Sequence, residues 1–143
     1  MKVPPIVLSL LFLALLNPNF AQNPSLDSMR KVYPSQKLPD KAKTLLNLCS
    51  GLKHKNRSAG EKVCGEGLKL AVQIQDTGLI WLGNVESSFY KRVKAKYDSA
   101  MYFATESLKW AEWLNNPRAI GSSANEVGKV FAAMANFSKS IPY

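Results

Sequence analysis

The sequence predicts an all-α protein, an antiparallel four-helix bundle-like domain with one disulfide. Apolar residues recur at helical spacing through most of residues 40–143, and no segment alternates with period two for long enough to predict a sheet. The segments between the periodic stretches are short, which favours antiparallel neighbours. The chain has 143 residues, 46% of them apolar, which suits one domain and is too short for two.

The N-terminal segment has the pattern of a secretory signal peptide. A positive start at Lys2 precedes an apolar run over residues 6–16, and Asn17-Pro18 and the small residue Ala21 follow. The run is shorter than the roughly 20 residues that span a bilayer. We therefore expect residues 1–21 to be removed, no transmembrane segment, and a mature protein that is secreted and extracellular.

Residues 22–39 carry three prolines and show no sustained periodicity. We expect them to form an extended lead-in to the helical domain. Arg30-Lys31 within this segment is a dibasic pair, for which proteolytic processing and simple solvated charge are the two interpretations.

Two helices are predicted in the first half of the domain, residues 40–143. Asp40 precedes the first apolar periodic residues and is the expected N-cap of the first helix. Ser58-Ala59-Gly60-Glu61 is a capping-box pattern, in which a hydroxyl and a carboxylate satisfy free N–H groups, and it predicts the start of the second. That helix continues through apolar residues to a predicted stop at Gly83-Asn84.

Two more helices are predicted in the second half of the domain. The third is the longest, from about Glu86 to Leu114, because apolar residues follow one another there at steps of four and three. A second capping box, Ser123-Ala124-Asn125-Glu126, predicts the start of the fourth.

The two cysteines are predicted to pair. In an oxidising compartment two thiols more often pair than stay free, so Cys49–Cys64 is the predicted disulfide between the first two helices. Its expected role is structural, because this spacing is unlike that of a redox C-x-x-C motif. Asn56-Arg57-Ser58 and Asn136-Phe137-Ser138 are glycosylation sequons and predict a glycoprotein.

Residue counts exclude most catalytic chemistry. The one histidine, His54, lies among lysines and arginines with no carboxylate near it in sequence to orient it as a base. Two cysteines cannot form a four-thiolate zinc site, and the sequence has no Gly-x-Ser-x-Gly elbow and no glycine-rich phosphate loop. We therefore expect no enzyme activity, no metal and no cofactor.

The chain is basic, with a formal net charge of +9. Four of the positive residues cluster early in the third predicted helix: Lys91, Arg92, Lys94 and Lys96. Such a field attracts polyanions such as sulfated glycans, and its ordinary alternative is a solvated helix face. Nucleic acid is not an expected partner, because the protein is predicted to be secreted.

Aromatic residues form the second notable feature of the third predicted helix. Tyr102, Phe103, Trp110 and Trp113 lie opposite its main apolar stripe. Either this half of the helix is buried between two neighbours, or it exposes an aromatic patch to a partner or at the rim of an apolar ligand pocket. Solvent exposure of Trp110 and Trp113 separates these interpretations.

In general type the chain resembles the small, basic, single-disulfide secreted proteins of insect male accessory glands, which are transferred in seminal fluid. The signal peptide, Cys49, Cys64-Gly65 and the size carry this resemblance. It implies a non-enzymatic role in reproduction.

These observations together predict a secreted, non-enzymatic interaction protein whose partner is an extracellular protein, a receptor or a polyanionic glycan. The predicted surface consists of Tyr102, Trp110, Trp113 and the basic residues Lys91, Arg92, Lys94 and Lys96. Two alternatives stay open: a carrier that holds a small apolar ligand between its helices, and a cationic, membrane-active defence protein.

Overall fold

A computed structural model describes residues 36–140, with the side chains of residues 36–136. The predicted signal peptide, the Arg30-Lys31 pair and most of the predicted lead-in lie outside this part of the chain. The described residues form five helices and no strand: α1 (Leu38–Leu52), α2 (Arg57–Gln73), α3 (Thr77–Val93), α4 (Tyr97–Trp113) and α5 (Pro117–Ser140). The all-α class is confirmed.

The predicted number of four helices is wrong, because the second and third predicted helices each break, and the end of one continues into the start of the other as α3. The second one ends at Gln73, and a new helix begins at Thr77. The third one breaks after Val93. Gly83-Asn84, where a stop was expected, lies buried in the middle of α3.

Three of the turns share one backbone geometry. Helices α2 to α5 begin at residues 57, 77, 97 and 117, and the residue two before each of the last three starts has a positive φ: Gln75, Ala95 and Asn115. In the first of these turns, N–H groups of Gln75 and Asp76 donate to the carbonyls of Val72 and Ala71, both at 3.1 Å. This is the Schellman ending of a helix, which usually contains glycine.

Side chains in the turns also define where the next helices begin. Asn56 Oδ1 accepts from the N–H of Ala59 at 3.1 Å, and Asp76 Oδ1 accepts from that of Leu79 at 2.9 Å. The N-cap of α2 is therefore Asn56 and not Ser58. Helix α5 begins at Pro117, six residues before the capping box predicted at Ser123.

Successive helices pack against one another as in a bundle, and turns of three or four residues separate them. Helix α3 is central, because it contacts all four other helices. It contacts α2 and α4, its neighbours in sequence, and also α1 and α5, which are two elements away. Side chains on α3 can therefore join parts of the protein that are distant in sequence.

All eight glycines of the chain lie within helices, and several permit close packing. A Cβ atom at Gly60 would lie 2.0 Å from the hydroxyl oxygen of Tyr90, which is a fully buried residue of α3. A Cβ atom at Gly83 would lie 2.9 Å from Leu68 Cδ1. Gly60 and Gly83 are therefore required by contact between helices and do not mark helix ends.

The predicted disulfide is not formed, and the prediction is corrected here. Cys49 and Cys64 are both buried and carry free thiols. They lie 2.8 Å apart, which is too long for an S–S bond of about 2.05 Å. A hydrogen bond to Cys64, together with burial, raises the pKa of the Cys49 thiol and keeps it protonated. The two cysteines still meet, because α1 packs against α2.

We expect Gly60→Ala to lower the free energy of unfolding by about 1–3 kcal/mol, because the new methyl group overlaps the Tyr90 hydroxyl. Urea unfolding measures the change. Gly65→Ala is the matched control on the same helix, where a Cβ meets nothing within 4 Å. It should raise stability by about 0.5–1 kcal/mol through helix propensity. Equal effects of the two substitutions would contradict the close contact.

Candidate interaction surface

Four aromatic side chains of α4 form a group that we call the aromatic surface: Tyr102, Phe103, Trp110 and Trp113. Tyr102 is 60% exposed and Trp113 is 70% exposed. Trp110 and Phe103 are half-buried. The rings meet in edge-to-face pairs, Tyr102 with Phe103 at 5.3 Å and Trp110 with Trp113 at 6.4 Å between ring centroids. Such pairs add to the energy of aromatic contacts and fix ring orientation.

The opposite side of α4 explains why these rings point outward. Ala100, Ala104 and Ala111 are fully buried there, and the first two form a small core cluster with Val130 of α5. The small alanine side chains let α4 approach its neighbours closely, so the large side chains remain on the other side. Of the two tryptophans whose exposure separates the interpretations from sequence, Trp113 is exposed and Trp110 is half-buried. Each interpretation therefore holds for part of the group, and the exposed part consists of Trp113 and Tyr102.

One ion pair lies among the aromatic rings. Lys109 donates a hydrogen bond to Glu106, one turn before it on α4, and this bond raises the pKa of the lysine. Three-quarters of the Glu106 side chain is shielded from solvent, whereas Lys109 is largely exposed. The aromatic surface therefore has a polar element that can orient a partner.

The predicted basic cluster is divided between two sides of the protein. Lys91 donates to Glu61 of α2 at 2.8 Å, and Lys94 pairs with the same carboxylate. Arg92 instead pairs with Glu126 of α5, with Nε 3.0 Å from Oε1. The structure therefore does not bring these residues together as one surface.

The fourth basic residue, Lys96, is exposed and occupies the N-cap of α4 without a side-chain hydrogen bond to that helix end. It lies in the turn between α3 and α4. Lys96 lines a surface cavity of about 750 Å³ together with Phe131 and Met134 of α5.

Opposing effects set the pKa of Glu61. Burial alone would raise it, but hydrogen bonds from Lys91 and Lys94, and the positive charges of both, lower it below its ordinary value of 4.5. The ionised carboxylate therefore joins α2 to the end of α3 near neutral pH.

The two sequons occupy helix positions. The amide of Asn56 caps α2 and is half-buried, so it is less accessible than an asparagine in an exposed loop. Asn136 is exposed on α5. The side chains that follow Asn136 in its sequon are outside the described part.

Sequence reasoning missed a second group of polar residues on α3 and α5. Glu86 is 4% exposed and Glu126 is 5% exposed, and each is held by a basic side chain. Glu126 was interpreted as part of a capping box, and Glu86 as the start of a helix. No local pattern distinguishes a glutamate that becomes buried by a long-range ion pair.

Within residues 36–136, no three histidine, cysteine or acidic side chains come together to hold a metal ion. No helix of the described part combines the length and the apolar character needed to cross a membrane.

Comparison of the chain with protein-family models, with curated proteins and with solved structures finds no match. Its function must therefore be argued from its own residues. Two of the four rings of the aromatic surface, Tyr102 and Trp113, are exposed, and Trp113 is the most exposed large apolar side chain of the described residues.

Glu61→Gln tests the ion pairs between α2 and α3. Because the pKa of Glu61 is lowered by folding, its contribution is present above about pH 4.5 and is lost as the pH falls through the folded-state pKa. We expect the variant to be less stable than the wild type at pH 7 by less than about 1 kcal/mol, since the group is partly solvated.

Chemical unfolding at pH 7 and at pH 3 measures this difference, which should shrink at the lower pH. Glu66→Gln, on the same helix, is the control, because Glu66 forms no ion pair with the residues described. A difference that grows on acidification would contradict the assignment.

Proposed function

We propose that the protein is a secreted, non-enzymatic interaction protein that binds an extracellular protein through its aromatic surface. The observation that carries this proposal is the exposure of Tyr102 and Trp113, at 60% and 70%. Tryptophan and tyrosine are enriched among the residues that dominate binding energy at protein interfaces. Large aromatic side chains that remain in water after folding retain apolar area that a partner can bury.

The charge of the chain indicates the chemistry of the partner. The formal net charge is +9 for the whole chain, and removal of the predicted signal peptide takes away only Lys2 and leaves +8. This charge favours association with an acidic protein, since complementary charge speeds encounter and suppresses wrong partners. We therefore expect a partner with an apolar centre, which covers Trp113 and Tyr102, and an acidic rim. The resemblance to insect accessory-gland proteins, which now rests on the predicted signal peptide and the size and no longer on a disulfide, makes seminal fluid the first fluid in which to search for it.

The other two functions have less support. A carrier that encloses its ligand between the helices needs a closed apolar space, whereas the cavities described here are open to solvent, so a ligand would bind at the surface of the domain. A membrane-active protein needs free apolar helix faces, and the leucines of α1, such as Leu45 and Leu46, are buried in the core.

The test first isolates the partner that co-elutes with the full mature chain from the secretory fluid. Binding of this purified partner is then measured for the wild type, a double variant and a control variant. We expect Tyr102→Ala combined with Trp113→Ala to weaken binding to the purified partner by about thirtyfold, the effect of losing about 2 kcal/mol at a binding hot spot. Isothermal titration calorimetry measures the dissociation constants.

Phe131→Ala is the matched control. Phe131 is an aromatic residue of α5 that is 60% exposed, the same fraction as Tyr102, and it lies outside the aromatic surface. It should change the dissociation constant less than twofold. Absence of any stoichiometric complex, or equal loss of binding in both variants, would reject the proposed surface.

A further inference from the structure

A second group of residues lines a groove of about 360 Å³ that contains no residue of α4. Its floor is α3, with Leu82, Val85 and Phe89 at helical spacing, all half-buried. One wall is the turn between α1 and α2, and the other is α5. The volume is at the small end of the range of small-molecule sites, which is about 300–1,000 Å³.

Two buried carboxylates form part of this groove, and each is held by a basic side chain from another element. Glu86 Oε2 is 2.8 Å from Lys53 Nζ, and its other oxygen accepts from Ser50 at 2.8 Å. Glu126 Oε1 is 3.0 Å from Arg92 Nε. A buried carboxylate without its cation is strongly destabilising, so these pairs are fixed parts of the wall.

Phe89 holds both of these cations in place. Lys53 Nζ lies 5.1 Å and Arg92 Cζ lies 5.5 Å from the centre of the Phe89 ring. Both distances are within the range of cation–π attraction, about 6 Å. The rings of His54 and Phe89 also meet edge to face, with their centroids 6.2 Å apart. The groove therefore combines an apolar floor with two ion pairs whose cations lie near the Phe89 ring.

The lysine and arginine side chains that line the groove outnumber its carboxylates by one. Lys129 of α5 lies 3.7 Å from Glu126 Oε2, but that carboxylate already pairs with Arg92 at shorter distance. Lys53, Arg92 and Lys129 outnumber the two carboxylates by one. The side chain of Lys129 is 51% exposed, so its ammonium group is accessible to a ligand.

We propose that this groove binds a small organic monoanion, a carboxylate attached to an aromatic or other flat apolar body. The apolar body lies on Phe89 and Val85, and the carboxylate meets Lys129 at the α5 wall. A neutral ligand would leave the excess charge unpaired, and a cationic one would have to displace Lys53 or Arg92 from its buried partner. This site is independent of the aromatic surface.

The test titrates the mature protein with 2-naphthoate at low ionic strength, followed by calorimetry. We expect one site per chain with a dissociation constant below 1 mM, a value that rises with added salt because the contact is between charges. The uncharged naphthalene-2-carboxamide and the cation 2-naphthylmethylammonium have the same ring system and should bind at least tenfold more weakly.

Variants locate the site. Lys129→Gln should raise the dissociation constant for 2-naphthoate at least fivefold, and its exposed position leaves the fold intact, as circular dichroism will show. Lys109→Gln is the control, since Lys109 is an exposed lysine of α4 outside the groove. No binding at millimolar probe, equal binding of the amide, or a Lys129→Gln value within twofold of wild type would each overturn the proposal.

Discussion

The hydrogen bond from the Tyr90 hydroxyl to the Cys49 carbonyl is the interaction on which the described fold depends most. Tyr90 is fully buried in α3, and its oxygen lies 2.6 Å from that carbonyl. Cys49 is in the last turn of α1, where carbonyl groups lose their donors within the helix. The same hydroxyl packs against Gly60 of α2. One side chain thus joins three helices and satisfies a buried polar group.

Other polar side chains of α3 also form hydrogen bonds with neighbouring helices. Ser88 donates to the carbonyl of Ala100 in α4 at 3.0 Å, and Trp81 donates to Ser123 of α5 at 2.9 Å. Buried hydrogen-bonded groups specify one arrangement, because any other arrangement leaves them unpaired. This placement of α1, α4 and α5 around α3 creates the groove on one side and directs the rings of α4 into solvent.

The sequence predicts the all-α fold class and places the aromatic residues of α4 on one side of that helix, but it does not decide their exposure or the helix boundaries. Helical periodicity is local, so it identifies α-helices directly. The helix ends at Gln73 and Val93 were missed because the positive-φ residues that follow them, Gln75 and Ala95, are not the glycine that usually adopts this conformation. The opposite error occurred at Gly83, which was predicted as a helix end. Glycine is required there because α3 packs closely against Leu68 of α2. The burial of Glu126 depends on Arg92, 34 residues away, and long-range pairs leave no local pattern.

Comparison of Tyr90→Phe with the wild type in urea unfolding is the most direct test of this account. The substitution keeps the ring and removes only the hydroxyl, which leaves a buried carbonyl without its donor. We expect a loss of about 1–3 kcal/mol, whereas Tyr102→Phe, at an exposed ring, should change the free energy of unfolding by less than about 0.5 kcal/mol. A Tyr90→Phe protein as stable as the wild type would contradict the central role of this bond.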